Sequence, residues 1–150
     1  MQASPKNITP PSCPGEWSLV QIQEAFKREL PSGMLKRLPS DKGNASYLPW
    51  YTVNKILDKY APGWTWEIKE TLISRDRLFM VGRLTIPTSE GNIYREAAGT
   101  EELKRHTYDK KLERYVDKEI AYGDPSSNAE SMAFRRCAAR FGLGLYLYER

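Results

Sequence analysis

Between positions 64 and 100 the chain alternates apolar and polar residues in three consecutive runs. Trp64, Trp66, Ile68 and Leu72 alternate with Thr65, Glu67, Lys69 and Thr71. Leu78, Met80, Leu84 and Ile86 then alternate with Arg77, Val81, Arg83 and Thr85, and Pro87 closes the run. A period of two sends successive side chains to opposite faces of an extended backbone, so each run predicts a half-buried strand. The Ser89-Glu90-Gly91-Asn92 turn leads to a third strand over 93–100, and connections this short make the three an antiparallel meander. Such a sheet has one apolar face that needs a cover, and the natural cover is helical.

The cover is found near the end of the chain. Ser127 and Glu130 have the spacing of a capping box, and Gly142 suits a helix stop. At 100° per residue, Ala133, Phe134, Cys137, Ala138 and Phe141 share one face, while Arg135, Arg136 and Arg140 lie off it. Residues 131–148 hold three arginines and no acid. Solvated helix faces usually alternate charge, whereas Arg136 and Arg140 repel at i, i+4 unless an anion lies between them. A phosphate backbone is such an anion, and the guanidinium fork suits it. A plain solvated surface is the competing reading.

Before the sheet, Ser18 and Gln21 form another capping-box pair, followed by Leu19, Ile22, Phe26 and Leu30 at helical spacing up to Pro31. Pro49 opens a second helix with Val53, Ile56, Leu57 and Tyr60 on one stripe, ended by Pro62 and Gly63. Residues 34–46 read as a turn-rich basic connection with room for one short strand. Residues 1–16, with Pro5, Pro10, Pro11 and Pro14, read as a flexible tail, leaving 17–150 as one domain. Residues 101–119 are highly charged, and Tyr108, Leu112 and Tyr115, like Tyr122 beyond them, mark the apolar side of a protruding hairpin or helix. The fold class is thus α+β: a β-β-β-α core with additional N-terminal helices. The open sheet edges, and the small residues Ala97, Ala98 and Gly99, suggest a multimer.

Several chemistries are disfavoured. Cys13 and Cys137 are the only cysteines and His106 the only histidine, too few for a thiolate zinc site or a His-rich metal centre. Asp109 beside His106 has no nucleophile context for a triad. Gly142-Leu143-Gly144 follows a helix and lacks a third glycine, so it reads as a helix stop rather than a nucleotide loop. No cofactor, metal or small-molecule substrate is expected. No run approaches the ~20 apolar residues of a membrane helix, and no signal-peptide pattern opens the chain, so the expected setting is cytoplasmic, nucleoid-associated, and without a membrane partner. The net charge of +4 favours polyanions.

Two smaller constellations have their own readings. Trp50 and Tyr51 lie near Lys55, Lys59 and Lys69 and suggest a stacking platform for unpaired bases, whereas Trp64 and Trp66 share the core parity of Ile68. Glu67-Ile68-Lys69 matches the Glu-x-Lys element of metal-dependent nucleases, with Asp58 as a second carboxylate, although Asp58 falls on a helix and such tripeptides are common by chance.

Residues 129–148, AESMAFRRCAARFGLGLYLY, resemble the signature helix of the Rad-fifty-two family of single-strand annealing proteins, in particular its bacterial DdrA-like branch. The resemblance extends through Tyr47-Leu-Pro-Trp-Tyr51 and Ala61-Pro-Gly-Trp64 and covers about 18–148. It implies a β-β-β-α core, ring or helical homo-oligomers, and a basic groove holding single-stranded DNA, with Arg135 and Arg136 as the DNA-facing pair. Eukaryotic members place an arginine where this chain has Trp50 and Tyr51, which implies that the contact is either lost or replaced by stacking. A recruiting tail, and with it a mediator role, is not expected. The resulting expectation is a non-enzymatic, ATP-independent protein that binds single-stranded DNA and anneals complementary strands in break repair or recombination. Its DNA-binding set is Arg135, Arg136, Arg140, Lys55, Lys69, Trp50 and Tyr51. The alternatives are a magnesium-dependent nuclease built on Asp58, Glu67 and Lys69, and a structural DNA end-protecting multimer without annealing activity.

Overall fold

The computed structural model describes residues 8–37, 46–119 and 124–149. In chain order these form α1 (Leu19–Phe26), a 3-10 turn at Ser32–Met34, β1 (Lys36–Arg37), β2 (Ser46–Tyr47), α2 (Trp50–Tyr60), β3 (Thr65–Ser74), β4 (Arg77–Thr88), β5 (Gly91–Glu102), β6 (Lys104–Asp109), β7 (Arg114–Glu119), α3 (Pro125–Arg140) and a closing 3-10 turn at Leu145–Tyr148. The class is α+β. Strands β3, β4 and β5 form an antiparallel sheet in that order, and β1–β2 and β6–β7 are two-stranded ribbons. Residues 101–119 therefore take the hairpin option, β6 pairing with β7. Residues 1–7 of the expected tail, most of the 34–46 connection, and Tyr122 lie outside the described residues.

The chain divides into two compact units. The first holds the residues up to Thr65, Thr85–Ile93, and those from Gly142 on. Ser18 caps α1 as its spacing predicted: its hydroxyl accepts from the Gln21 N–H, and the Gln21 side chain accepts from the Ser18 N–H at 2.8 Å. The helix stops at Phe26, short of Leu30. Pro31 keeps Leu30 out of helical geometry, so the helix cannot extend to it. The Leu30 N–H instead donates to the Tyr146 hydroxyl. Ile22, Ala25 and Phe26 of α1 and Val53 and Leu57 of α2 are buried, and Trp17 stacks on Tyr60 with ring centroids 5.9 Å apart. Glu90, from the β4–β5 turn, accepts the Leu19 N–H at the start of α1, and that bond is the main cause holding its carboxyl below the usual range. A depressed carboxylate adds stability above its unfolded pKa and loses it as pH falls through the folded value. Glu90→Gln should therefore remove part of the acid-side decline in a profile of melting temperature against pH. Ser18→Ala should cost about 1 kcal/mol in denaturant unfolding.

The second unit comprises Trp66–Leu84 and Tyr94–Phe141. Here the parity predicted for β4 holds at Leu78 and Leu84, which are buried together with Gly82, whereas Met80 is half-buried like Phe79 and Val81 on either side of it. α3 lies on that face. The Trp66 and Phe134 rings meet edge to face at 5.0 Å, the Cys137 thiol donates to the Gly82 carbonyl at 3.4 Å, and Gly99 abuts the backbone of Ala129 and Ala133. Ala133, Phe134, Cys137, Ala138 and Phe141, the face assigned from 100° spacing, are all buried. Gly99 of β5 thus admits the chain's own helix. Beyond Trp66 the parity of β3 does not produce burial: Ile68 is 40% and Leu72 53% exposed on an edge strand with a neighbour on one side only.

α3 also starts earlier than the Ser127 box suggested. Asp124 is the N-cap, accepting from the N–H and hydroxyl of Ser126, and Pro125 occupies the first turn, where its missing N–H and fixed φ carry no penalty. Gly142 follows the last turn with φ 110°, a conformation glycine adopts without strain. Cys137 sits against the sheet, and burial pushes its thiol up to about 11. It stays protonated near neutrality and so is a poor nucleophile. Iodoacetamide at neutral pH should modify the exposed Cys13 alone in the native protein, and both thiols after unfolding, as read by mass spectrometry.

Candidate nucleic-acid interface

α3 turns its apolar stripe to the sheet, and this fixes where its arginines go. Arg136 and Arg140 are exposed and Arg135 is half-buried. One Arg136 nitrogen donates to the Ala98 carbonyl of β5 at 3.1 Å, which holds the guanidinium in place with four of its five N–H donors uncommitted to that bond. Three glutamates of β5 and α3 are engaged elsewhere. Glu96 binds Arg83 through bonds of 2.9 and 2.6 Å, Glu102 pairs with Arg77 at 3.4 Å, and Glu130 accepts from the Trp66 indole at 3.3 Å. Among the described residues no carboxylate pairs with Arg136 or Arg140. Arg140 stands in the last turn, where a cation is also favoured by the helix dipole. Among the described residues, therefore, no acid neutralises the positive charge that Arg136 and Arg140 present.

Lys69 of β3 is different. It lies 3.6 Å from Glu67, so its charge already has a partner on the same strand face.

In the first unit, Trp50 and Tyr51 open α2, both exposed, with rings edge to face at 5.8 Å. Pro49 is the N-cap of that helix rather than its first residue, and this places both aromatics in the first turn. Lys36 of β1 sits 5.3 Å from the centre of the Tyr51 ring, and the Tyr51 side chain raises the Lys36 pKa, so the amine is charged at neutral pH. Lys36 was not singled out from the sequence, because only the folding of β1 brings it to Tyr51. Lys55 is exposed on α2.

The carboxylates of the nuclease reading have structural partners: Asp58 accepts the Trp64 indole N–H at 2.8 Å and Glu67 pairs with Lys69. Trp64 precedes β3 rather than lying in it. His106 pairs with Asp117, 2.9 Å away across the hairpin, while Asp109 accepts the backbone N–H groups of Lys111 and Leu112 in its own turn.

A three-stranded antiparallel sheet followed by a helix with a cationic outer side defines a β-β-β-α domain of the α+β class. No family model matches the chain. It is 33% identical over 132 residues to the DNA repair RAD52-like protein 1, mitochondrial, of Arabidopsis thaliana, a match covering 87% of this chain and 67% of that protein. It is 37% identical over 134 residues to the DNA repair RAD52-like protein 2, chloroplastic, of the same plant, covering 87% of this chain and 60% of the relative. The chain belongs to the RAD52-like family. It spans about two thirds of the length of the relatives it matches.

Proposed function

We propose that this chain acts in DNA repair or recombination by binding single-stranded DNA and annealing complementary strands, without ATP and without enzymatic turnover. Its relatives are named for DNA repair. The observation that carries the reading is the outer side of α3, where Arg136 and Arg140 have no acidic partner among the described residues, while Glu96, Glu102 and Glu130 of the same unit are bound to other groups. Phosphates supply the missing anions, and their neutralisation releases counterions. In the first unit, Trp50, Tyr51 and Lys55 offer stacking and charge of their own, with Lys36 added by the fold. Lys69 contributes less, being paired with Glu67. The working form is a homo-oligomer, which would cover the exposed edge of β3. Placement in the DdrA-like branch rests on the signature residues 129–148 alone.

Fluorescence anisotropy with labelled oligonucleotides tests the binding. Affinity should be higher for single strands than for duplex, insensitive to base sequence, and steeply weakened by salt. Equal affinity for duplex at every salt concentration would exclude the reading. Magnesium-dependent cleavage lost on Glu67→Ala would replace it with the nuclease.

A further inference from the structure

The β6–β7 hairpin carries a row of aromatic rings that the α3 site does not use. The strand register sets His106 opposite Asp117 and Tyr108 opposite Tyr115, so these four side chains share one face. The His106 and Tyr115 rings are stacked, 5.2 Å apart and 11° from parallel, and Tyr108 meets Tyr115 edge to face at 5.3 Å. Tyr108 is nevertheless 52% and Tyr115 64% exposed. The rings are positioned by one another rather than by burial. Cross-strand pairing stabilises a two-stranded ribbon and accounts for Tyr108 facing Tyr115. It does not call for a third ring, nor for so much aromatic surface left in water.

Charge identifies the occupant. Residues 104–119 contain six lysines and arginines against four acids. Two of those acids are occupied locally, Asp109 by its own turn and Asp117 by His106. Lys110, Lys111 and Arg114 at the hairpin tip are exposed and make no ion pair among the described residues. A protein partner would call for an apolar centre depleted of charge. Preset rings flanked by cations suit unpaired bases with their phosphates. We propose that His106, Tyr108 and Tyr115 form a stacking platform for unpaired bases of a single-stranded nucleic acid, distinct from the arginine side of α3. The inference rests on the single-strand binding proposed above and adds a second element to it.

Stacking and phosphate contact differ in their salt signature. Tyr108→Thr/Tyr115→Thr, which keeps good strand-forming residues, should weaken oligo-dT binding about tenfold for each stack lost while leaving the slope of log affinity against log salt unchanged. Tyr115→Phe, which keeps the ring, should bind as the parent does. Irradiation of the unaltered protein with iododeoxyuridine-substituted oligo-dT should give an adduct at Tyr108 or Tyr115 by mass spectrometry, and this readout does not depend on any variant folding. Adducts confined to other residues, or unchanged affinity in a folded Thr variant, would overturn the platform. Particle size that falls in the Thr variant, with binding lost only as a consequence, would also overturn it and make the rings a contact between copies. If the parent binds oligo-dT with a steep salt slope and the hairpin readouts are negative, the platform alone fails. If the parent does not bind oligo-dT, both readings fail.

Discussion

Replacing Arg135 and Arg136 together by alanine is expected to weaken single-strand binding roughly 25-fold at ~0.1 M salt and to flatten the slope of log affinity against log salt by about 1.4. Each phosphate contact on a single strand contributes about 0.7 to that slope, a factor of about 5 per contact at ~0.1 M relative to 1 M. The structure adds a second consequence. Arg136 also donates to the Ala98 carbonyl, so its loss loosens one tie between α3 and β5. An exposed bond of this kind is worth little next to the buried stripe beneath it, and alanine is the best helix former, so the domain should still fold. Arg136→Lys separates the two roles: it keeps the charge but loses the planar fork, so the slope should recover more than the affinity. Unchanged affinity and slope in the folded double variant would remove both residues from any DNA site.

Gly99→Ala should be the most damaging single methyl in the second unit. A Cβ at this position of β5 would run into the Ala129 carbonyl oxygen and carbon and lie 2.7 Å from the Ala133 nitrogen. These are backbone atoms of α3, so no rotamer change relieves the clash, and the helix would have to move off the sheet. Overpacking typically costs 1–3 kcal/mol where side chains can give way. With backbone on the opposing side about 3 kcal/mol or more is expected, enough to lower the melting temperature by roughly 10 °C or more at this size. Gly82→Ala meets only the end of the Trp66 indole and should cost less. Equal melting temperatures for Gly99→Ala and the parent would contradict the packing of α3 on β5.

What the sequence conveyed, and what it did not, follows from how local each determinant is. Alternation across 64–86 marks the faces of β3 and β4, because a strand's period is set residue by residue. The buried stripe of α3 follows equally from 100° spacing. α3 starts three positions before the Ser127 signal: Asp124-Pro125 and Ser127 both carry N-terminal signals, and the proline's fixed φ favours the earlier one. Ile68 and Leu72 have the pattern of burial without its outcome, since alternation describes a strand and not whether a neighbour covers it. Arg136 with Ala98, 38 positions apart, and Glu90 with Leu19, 71 apart, depend on tertiary approach that no window on the sequence contains. The same holds for Lys36 beside Tyr51. Tyr108 and Tyr115 mark one side of the hairpin in the sequence, but that His106 joins them on that face follows only from the register of β6 and β7.

Annealing itself is the most direct measurement. Two complementary oligonucleotides, one carrying a fluorophore and the other a quencher, are mixed with the protein in EDTA without ATP, and the quenching rate is followed. The rate should rise well above the protein-free rate, fall as salt is raised, and drop toward the protein-free rate with Arg135→Ala/Arg136→Ala. A rate equal to the protein-free reaction, under conditions where anisotropy shows both strands bound, would contradict annealing and leave a protein that binds and covers single strands without pairing them.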